Sequence, residues 1–96
     1  MNNKKLYQQK MQAQLDEWQA EMDKLRARAS KAGADGQIKM NKHLQSLETK
    51  AKGMRAKLSE LAKTGEDAWQ PLKESLDSAW DSLKAGGREA AAKFKN

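Results

Sequence analysis

The chain has 96 residues and a formal net charge of +6; 33% of its residues are charged and 38% apolar, and 15 of the apolar ones are Ala. A chain of this length holds one small domain, and so few large apolar side chains exclude a thick globular core while still serving long helices that share a seam. It contains no cysteine, which excludes a disulfide framework and thiol chemistry.

A first helix is expected over about residues 4–32. Asn2 or Asn3 can cap it. Met11, Leu15, Trp18, Met22, Leu25, Ala29 and Ala32 then recur at alternating spacings of four and three, a heptad seam. Its Met and Trp suit a broad helix contact better than a tight two-stranded zipper. Leu6 and Tyr7 stand just outside this register, placed to cover its end.

Gly33-Ala-Asp-Gly36 is the candidate hinge, spanning residues 33–36. Two glycines cost roughly 2 kcal/mol in a helix interior relative to alanine. Yet Ala32, Gly36 and Met40 stay four apart, so a helix continuing with one shift of phase is the alternative. A second helix is expected over about 37–63, with its own seam of Met40, Leu44, Leu47, Ala51, Met54, Leu58 and Leu61. Asp35 with Lys39, and Glu48 with Lys52, are i,i+4 pairs suited to its exposed side. Gly53 weakens its middle. His43 is the single histidine; with no partner at helical spacing it is expected at the surface.

The next break is expected at residues 64–66. Gly65 suits a left-handed helix C-cap, Thr64 or Asp67 the following N-cap, and Glu66 and Asp67 the positive end of a new helix. Pro71 is tolerated near a helix start.

A third, amphipathic helix is expected over about 67–94. It carries an eleven-residue repeat: Asp67-Ala-Trp-Gln-Pro-Leu-Lys, then Ser78-Ala-Trp-Asp-Ser-Leu-Lys, then a weaker Glu89-Ala-Ala-Ala-Lys-Phe-Lys. Eleven residues make three turns at about 3.67 residues per turn. The repeat aligns Trp69 with Trp80, Leu72 with Leu83 and Phe94, and Lys73 with Lys84 and Lys95. Trp69, Leu72, Leu76, Ala79, Trp80, Leu83, Ala90 and Phe94 form the apolar stripe, with Gly87 on it. Lys73, Lys84, Arg88 and Lys95 line one flank, and the acids, Asp77 among them, spread over a solvated face. Gly86-Gly87 is expected to interrupt the helix, leaving the last turns to fray or bend with Glu89 and Lys93 as a supporting pair.

Three segments with one apolar stripe each must bury those stripes on one another or on another chain. The expected fold class is all-α, one domain over residues 1–96. It is either an antiparallel helical hairpin, with one long helix over 4–63 and the third folded back, or a three-helix bundle, the long amphipathic helices sharing heptad seams. A seam left uncovered would drive self-association, with a dimer favoured.

Catalytic chemistry finds no support. The serines lack a nearby base, the carboxylates lack a histidine to complete a metal site, and Gly33-Ala-Asp-Gly36 lacks the Lys-Ser/Thr ending of a phosphate loop. The expectation is therefore no enzyme, no cofactor, no metal and no small-molecule substrate. Residues 1–64 carry 14 basic and 7 acidic groups, whereas residues 65–96 carry 5 and 6. The basic residues are dispersed, so nucleic-acid binding is at most weak and sequence-independent. The Trp/Leu stripe beside Lys73, Lys84 and Arg88 offers the other alternative, peripheral binding to an anionic membrane. No apolar run is long enough to cross a bilayer, and no apolar core follows the basic start as a secretory signal requires, so a cytoplasmic location is expected.

Tyr7 to Trp18 with its Lys-Met-x-Ala-Gln-Leu-Asp-Glu-Trp close, Gly65 to Lys73, Ala79 to Lys84 and Ala91 to Phe94 resemble, in that order, a family of small bacterial coiled-coil proteins labelled stress-response or hypothetical. The resemblance covers nearly the whole chain. It implies a cytoplasmic helical protein without established enzymatic activity or cofactor, and carries over no functional residues. Family members have charged residues or Ala where Gly33 and Gly36 stand, implying a continuous helix there; this chain departs from that pattern. On the residues and the resemblance together, the expected function is that of a coiled-coil interaction protein serving stress tolerance. Trp18, Trp69, Leu72, Leu76, Trp80, Leu83 and Phe94 would carry its packing.

Overall fold

A computed structural model of the chain describes residues 3–65 and 67–93. Among these residues there are three helices and no strand: α1 Asn3–Ala29, α2 Ala34–Ala62 and α3 Trp69–Lys93. They stack into an elongated bundle of 51 × 18 × 17 Å. The long-helix alternative is thereby set aside in favour of the three-helix bundle.

The break between α1 and α2 falls at residues 30–33, just ahead of Gly36. Gly33 is the N-cap of α2 in extended conformation (φ −65°, ψ 169°). Its carbonyl accepts the first α2 bond, from the Gln37 amide at 3.0 Å. Asp35 lies in the first turn, where a negative charge meets the positive helix end. Gln37 also donates through Nε2 to the carbonyls of Ser30 and Ala32, at 3.2 and 3.1 Å. These carbonyls lie just beyond the α1 end and have no helical partner of their own, so one side chain ties both sides of the turn.

The second break holds a correction. Gly65 is not a left-handed cap: no described glycine has a positive φ. Instead α2 ends on Lys63 in right-handed conformation, its amide donating to the Glu60 carbonyl and the Thr64 amide to the Leu61 carbonyl. The last turn of α2 has no basic residue of its own. Lys4 of α1 supplies one, donating through Nζ to the Thr64 carbonyl. Residues 67 and 68 form a turn and α3 begins at Trp69. Pro71 is then its third residue, where the amide hydrogen it lacks would have no helical acceptor. The caps at Asn2 and the charge at Glu66 lie outside the described residues.

The seams of α1 and α2 are buried as their spacing predicts. Met11, Leu15, Trp18, Met22, Leu25 and Ala29 point inward from α1, and all seven positions from Met40 to Leu61 point inward from α2. Ala32, the last position of the predicted first seam, is exposed in the turn. In α3 the buried positions are Trp69, Leu76, Leu83 and Ala90, seven apart, with Gly87 between. The heptad therefore overrides the eleven-residue repeat. A helix packed along two partners of period seven has to present its own apolar residues at that period. Trp80 consequently lies beside the seam, half-buried, as does Leu72.

α1 and α2 run antiparallel, pinned outside the core by Arg26 to Glu48 and Arg55 to Asp16. Glu48 thus pairs across the bundle with Arg26, and no described ion pair joins it to Lys52, or Asp35 to Lys39. α3 runs antiparallel to α2, with Lys57 Nζ donating to Ser75 Oγ at 3.1 Å, and hence parallel to α1. α2 touches both neighbours extensively, whereas the contact between α1 and α3 is narrower.

Gly86-Gly87 does not interrupt α3, which continues to Lys93. The two glycines are points of close approach. A Cβ at Gly86 would press into Leu47 Cδ2 of α2, and one at Gly87 would lie 3.0 Å from Trp18 Nε1 and 3.2 Å from Met22 Cε of α1. The propensity cost of roughly 1 kcal/mol per glycine is offset by letting α3 seat against both partners at once.

Two predictions follow from this packing. Trp69 is 7% exposed, so Trp69→Ala should destabilise by about 3–5 kcal/mol, and Trp80→Ala by clearly less; equal losses in chemical denaturation would contradict the heptad register of α3. Gly53 has open space around its Cα, so Gly53→Ala should stabilise by up to about 1 kcal/mol. The same change at Gly86 should destabilise, and a rise in melting temperature for Gly86→Ala would show that the close approach is not needed.

Candidate functional site

α1 contributes Lys24 and Arg28, four apart, on the face turned toward α3. α3 contributes Lys84 and Arg88, also four apart, on the face turned toward α1. Between them runs a half-open groove of about 290 Å³, floored by Trp18, Met22, Leu25, Gly87 and Ala91. The groove exists because α3 has only Gly87, Ala90 and Ala91 to offer along this stretch. Helices with small residues there leave the space between their larger neighbours unfilled.

Its rim is strongly one-sided in charge. Glu21 is the acidic residue lining it, and it pairs with Lys24 at 3.6 Å. Arg28, Lys84 and Arg88 have no ion pair among the described residues. Beneath the floor, Trp18 Nε1 packs against Gly87 and is buried without an acceptor. A buried donor left unpaired is uncommon and costly. On its other side Trp18 borders a more open depression with Gln14, Glu17 and Trp80.

Of the residues singled out by the sequence for packing, Trp18, Trp69, Leu76 and Leu83 are in the core. Leu72 and Trp80 are packed against it, and Phe94 lies outside the described residues. The predicted basic flank does not act as one row. Lys84 and Arg88 belong to the groove, and Lys95 lies outside the described residues. Lys73 is committed elsewhere, bonding Asp77 at 3.1 Å and standing 5.4 Å over the Tyr7 ring. Sequence reasoning missed Lys24 and Arg28, whose i,i+4 spacing gains meaning only once the α1–α3 pairing is known.

The opposite end of the α1–α3 interface is closed by polar contacts. Tyr7 Oη donates to Asp77 Oδ1 at 2.6 Å, and its ring meets that of Trp69 at 6.0 Å between centroids. Asp77 is therefore half-buried and bonded, not part of a solvated acidic face. Burial pushes the Asp77 carboxyl upward, but the hydrogen bonds from Tyr7 and Lys73 and the charges of Lys73 and Lys10 outweigh it and hold the group below its ordinary value of 3.8. Tyr7 moves the other way, raised by burial, by its bond to Asp77 and by that carboxylate's charge. His43, expected at the surface, is half-buried with Nε2 covered and unpaired. Among the described residues no group of acidic, histidine or cysteine side chains could hold a metal ion, and no helix is long and apolar enough to cross a membrane.

A carboxyl whose folded value is depressed contributes stability that is present above its unfolded value and is lost as pH falls through the folded one. Asp77→Asn should accordingly lower the melting temperature near neutral pH, with the deficit shrinking once pH drops below 3.8. A deficit that stayed constant down to about pH 2 would show that the carboxylate's charge contributes nothing.

Comparisons with protein-family models, curated proteins and solved structures give no significant match to this chain.

Proposed function

We propose that this chain is a non-enzymatic helical interaction protein whose recognition face is the groove between α1 and α3. The observation that supports this reading is the set of cations around the groove, three of them without an ion pair among the described residues. Like charges gathered on one face repel and lower stability. A fold gains from keeping them when an acidic partner neutralises them in use. The resemblance to small bacterial stress-response proteins supports a cytoplasmic role in stress tolerance, exercised through whatever the groove holds.

Three other readings have less behind them. Self-association rests on heptad seams, and in this bundle the seams are filled within one chain. A dimer would therefore join through outer faces, where Leu6 and Ile38 are the exposed large apolar residues among those described, each 53% accessible. Membrane binding rests on the α3 stripe, which would have to leave the core to meet lipid. Nucleic-acid binding rests on the basic charge of residues 1–64, part of which is neutralised by the pairs of Arg26 and Arg55.

The proposal sets function against stability at these positions. Arg88→Glu should raise the melting temperature of the isolated protein at low ionic strength, and the gain should fade as salt screens the charges. A melting temperature that is unchanged or lower would remove the argument from charge crowding. Sedimentation of the same protein, with and without anionic vesicles, separates a folded monomer from a discrete dimer and from a vesicle-bound form.

A further inference from the structure

The chemistry of the groove narrows what it can hold, and this step rests on the interaction reading above. We propose that the groove binds one molecule of a small anionic amphiphile, a compound with an aliphatic or aromatic body and a single carboxylate, sulfate or phosphate head.

Two observations converge on that class. Trp18, Met22, Leu25 and Ala91 present a largely carbon surface, suited to an apolar body that displaces water from it. The adaptable thioether of Met22 lets such a floor follow different shapes. Lys24, Arg28, Lys84 and Arg88 stand on both walls, so a head group meets cations from α1 and α3 together. A guanidinium offers two parallel donors to one carboxylate, sulfate or phosphate.

Size decides between occupants of like charge. On α1 the lining runs from Trp18 to Arg28, about 15 Å at 1.5 Å per residue. The volume of about 290 Å³ is at the small end for ligand pockets. It accommodates a single chain or ring system. A partner helix would set anchors at i, i+3, i+4 and i+7, a track of about 10 Å that the length admits, but the small volume favours a single chain or ring system over several side chains at once. A bilayer surface cannot enter a cleft between two helices, so the ligand is taken as a dissolved molecule.

The probe is decyl sulfate, titrated into the full chain by calorimetry below its micelle concentration, with decyl glucoside as the uncharged analogue. Decyl sulfate is expected to bind saturably with a stoichiometry of one and to leave the helical circular dichroism unchanged. Decyl glucoside is expected to bind at least about tenfold more weakly. The exposed pair Lys84→Glu with Arg88→Glu should weaken decyl sulfate by about tenfold or more. The control pair Lys50→Glu with Lys52→Glu, exposed on α2 away from the groove, should not. Equal binding of the two surfactants, equal affinity in the two double variants, or uptake of many molecules with loss of helix would each overturn the proposal. Binding of anionic vesicles or an acidic peptide that needs Lys84 and Arg88, with none of decyl sulfate, would overturn the ligand class and leave the interaction reading standing. Absence of all three, together with no gain in melting temperature for Arg88→Glu, would remove both.

Discussion

Contact between Trp18 and Gly87 sets how closely the first and third helices approach, and much else depends on it. A large indole fits into the core because the facing position has no side chain. Gly86 does the same for Leu47 of the second helix. The two neighbouring glycines thus seat α3 into the cleft between α1 and α2, and the small residues around them leave the groove open along one side. A local weakness in helix propensity is the means by which three thin helices share one core.

Most of the fold could be read from the sequence because heptad spacing is a direct image of a helix seam. Every seam position from Met40 to Leu61 is buried where its spacing places it, and so are those from Met11 to Ala29. The sequence was less informative where a residue's role depends on a partner helix. The eleven-residue similarity in α3 is real, but burial follows the period of the helices it packs against, so Trp80 stands at the margin while Ala90 is buried. Gly86-Gly87 resembled a break because propensity is a local quantity and close approach is not. The groove was half legible: Lys84 and Arg88 were marked as a basic flank, whereas nothing local to α1 distinguished Lys24 and Arg28 from ordinary solvated cations.

The distribution of charge also takes on a different meaning once the helices are placed. The excess of basic residues in the first two-thirds of the chain is spent partly on links between helices, as Arg26, Arg55 and Lys4 show. Arg28 of that excess, with Lys84 and Arg88 from the last third, stands without an ion pair among the described residues where α1 and α3 face one another at the narrowest of the helix contacts. That is where a binding face costs the fold least, since fewer core contacts have to be kept in place around it.

The bonds from Tyr7 to Asp77 bear on the chirality of the bundle. An antiparallel pair of helices can receive a third from either side, giving two mirror-related arrangements of the same hairpins. The fits of Trp18 on Gly87 and Leu47 on Gly86 favour one of them, while the Leu, Met and Ala of the seams add little to the choice, because many packings of flexible aliphatic chains have similar energy. A hydrogen bond between named side chains is satisfied in one hand and orphaned in the other, and partial burial raises the cost of orphaning it. The Tyr7–Asp77–Lys73 cluster, together with Lys4 on the Thr64 carbonyl, therefore acts as a latch of handedness.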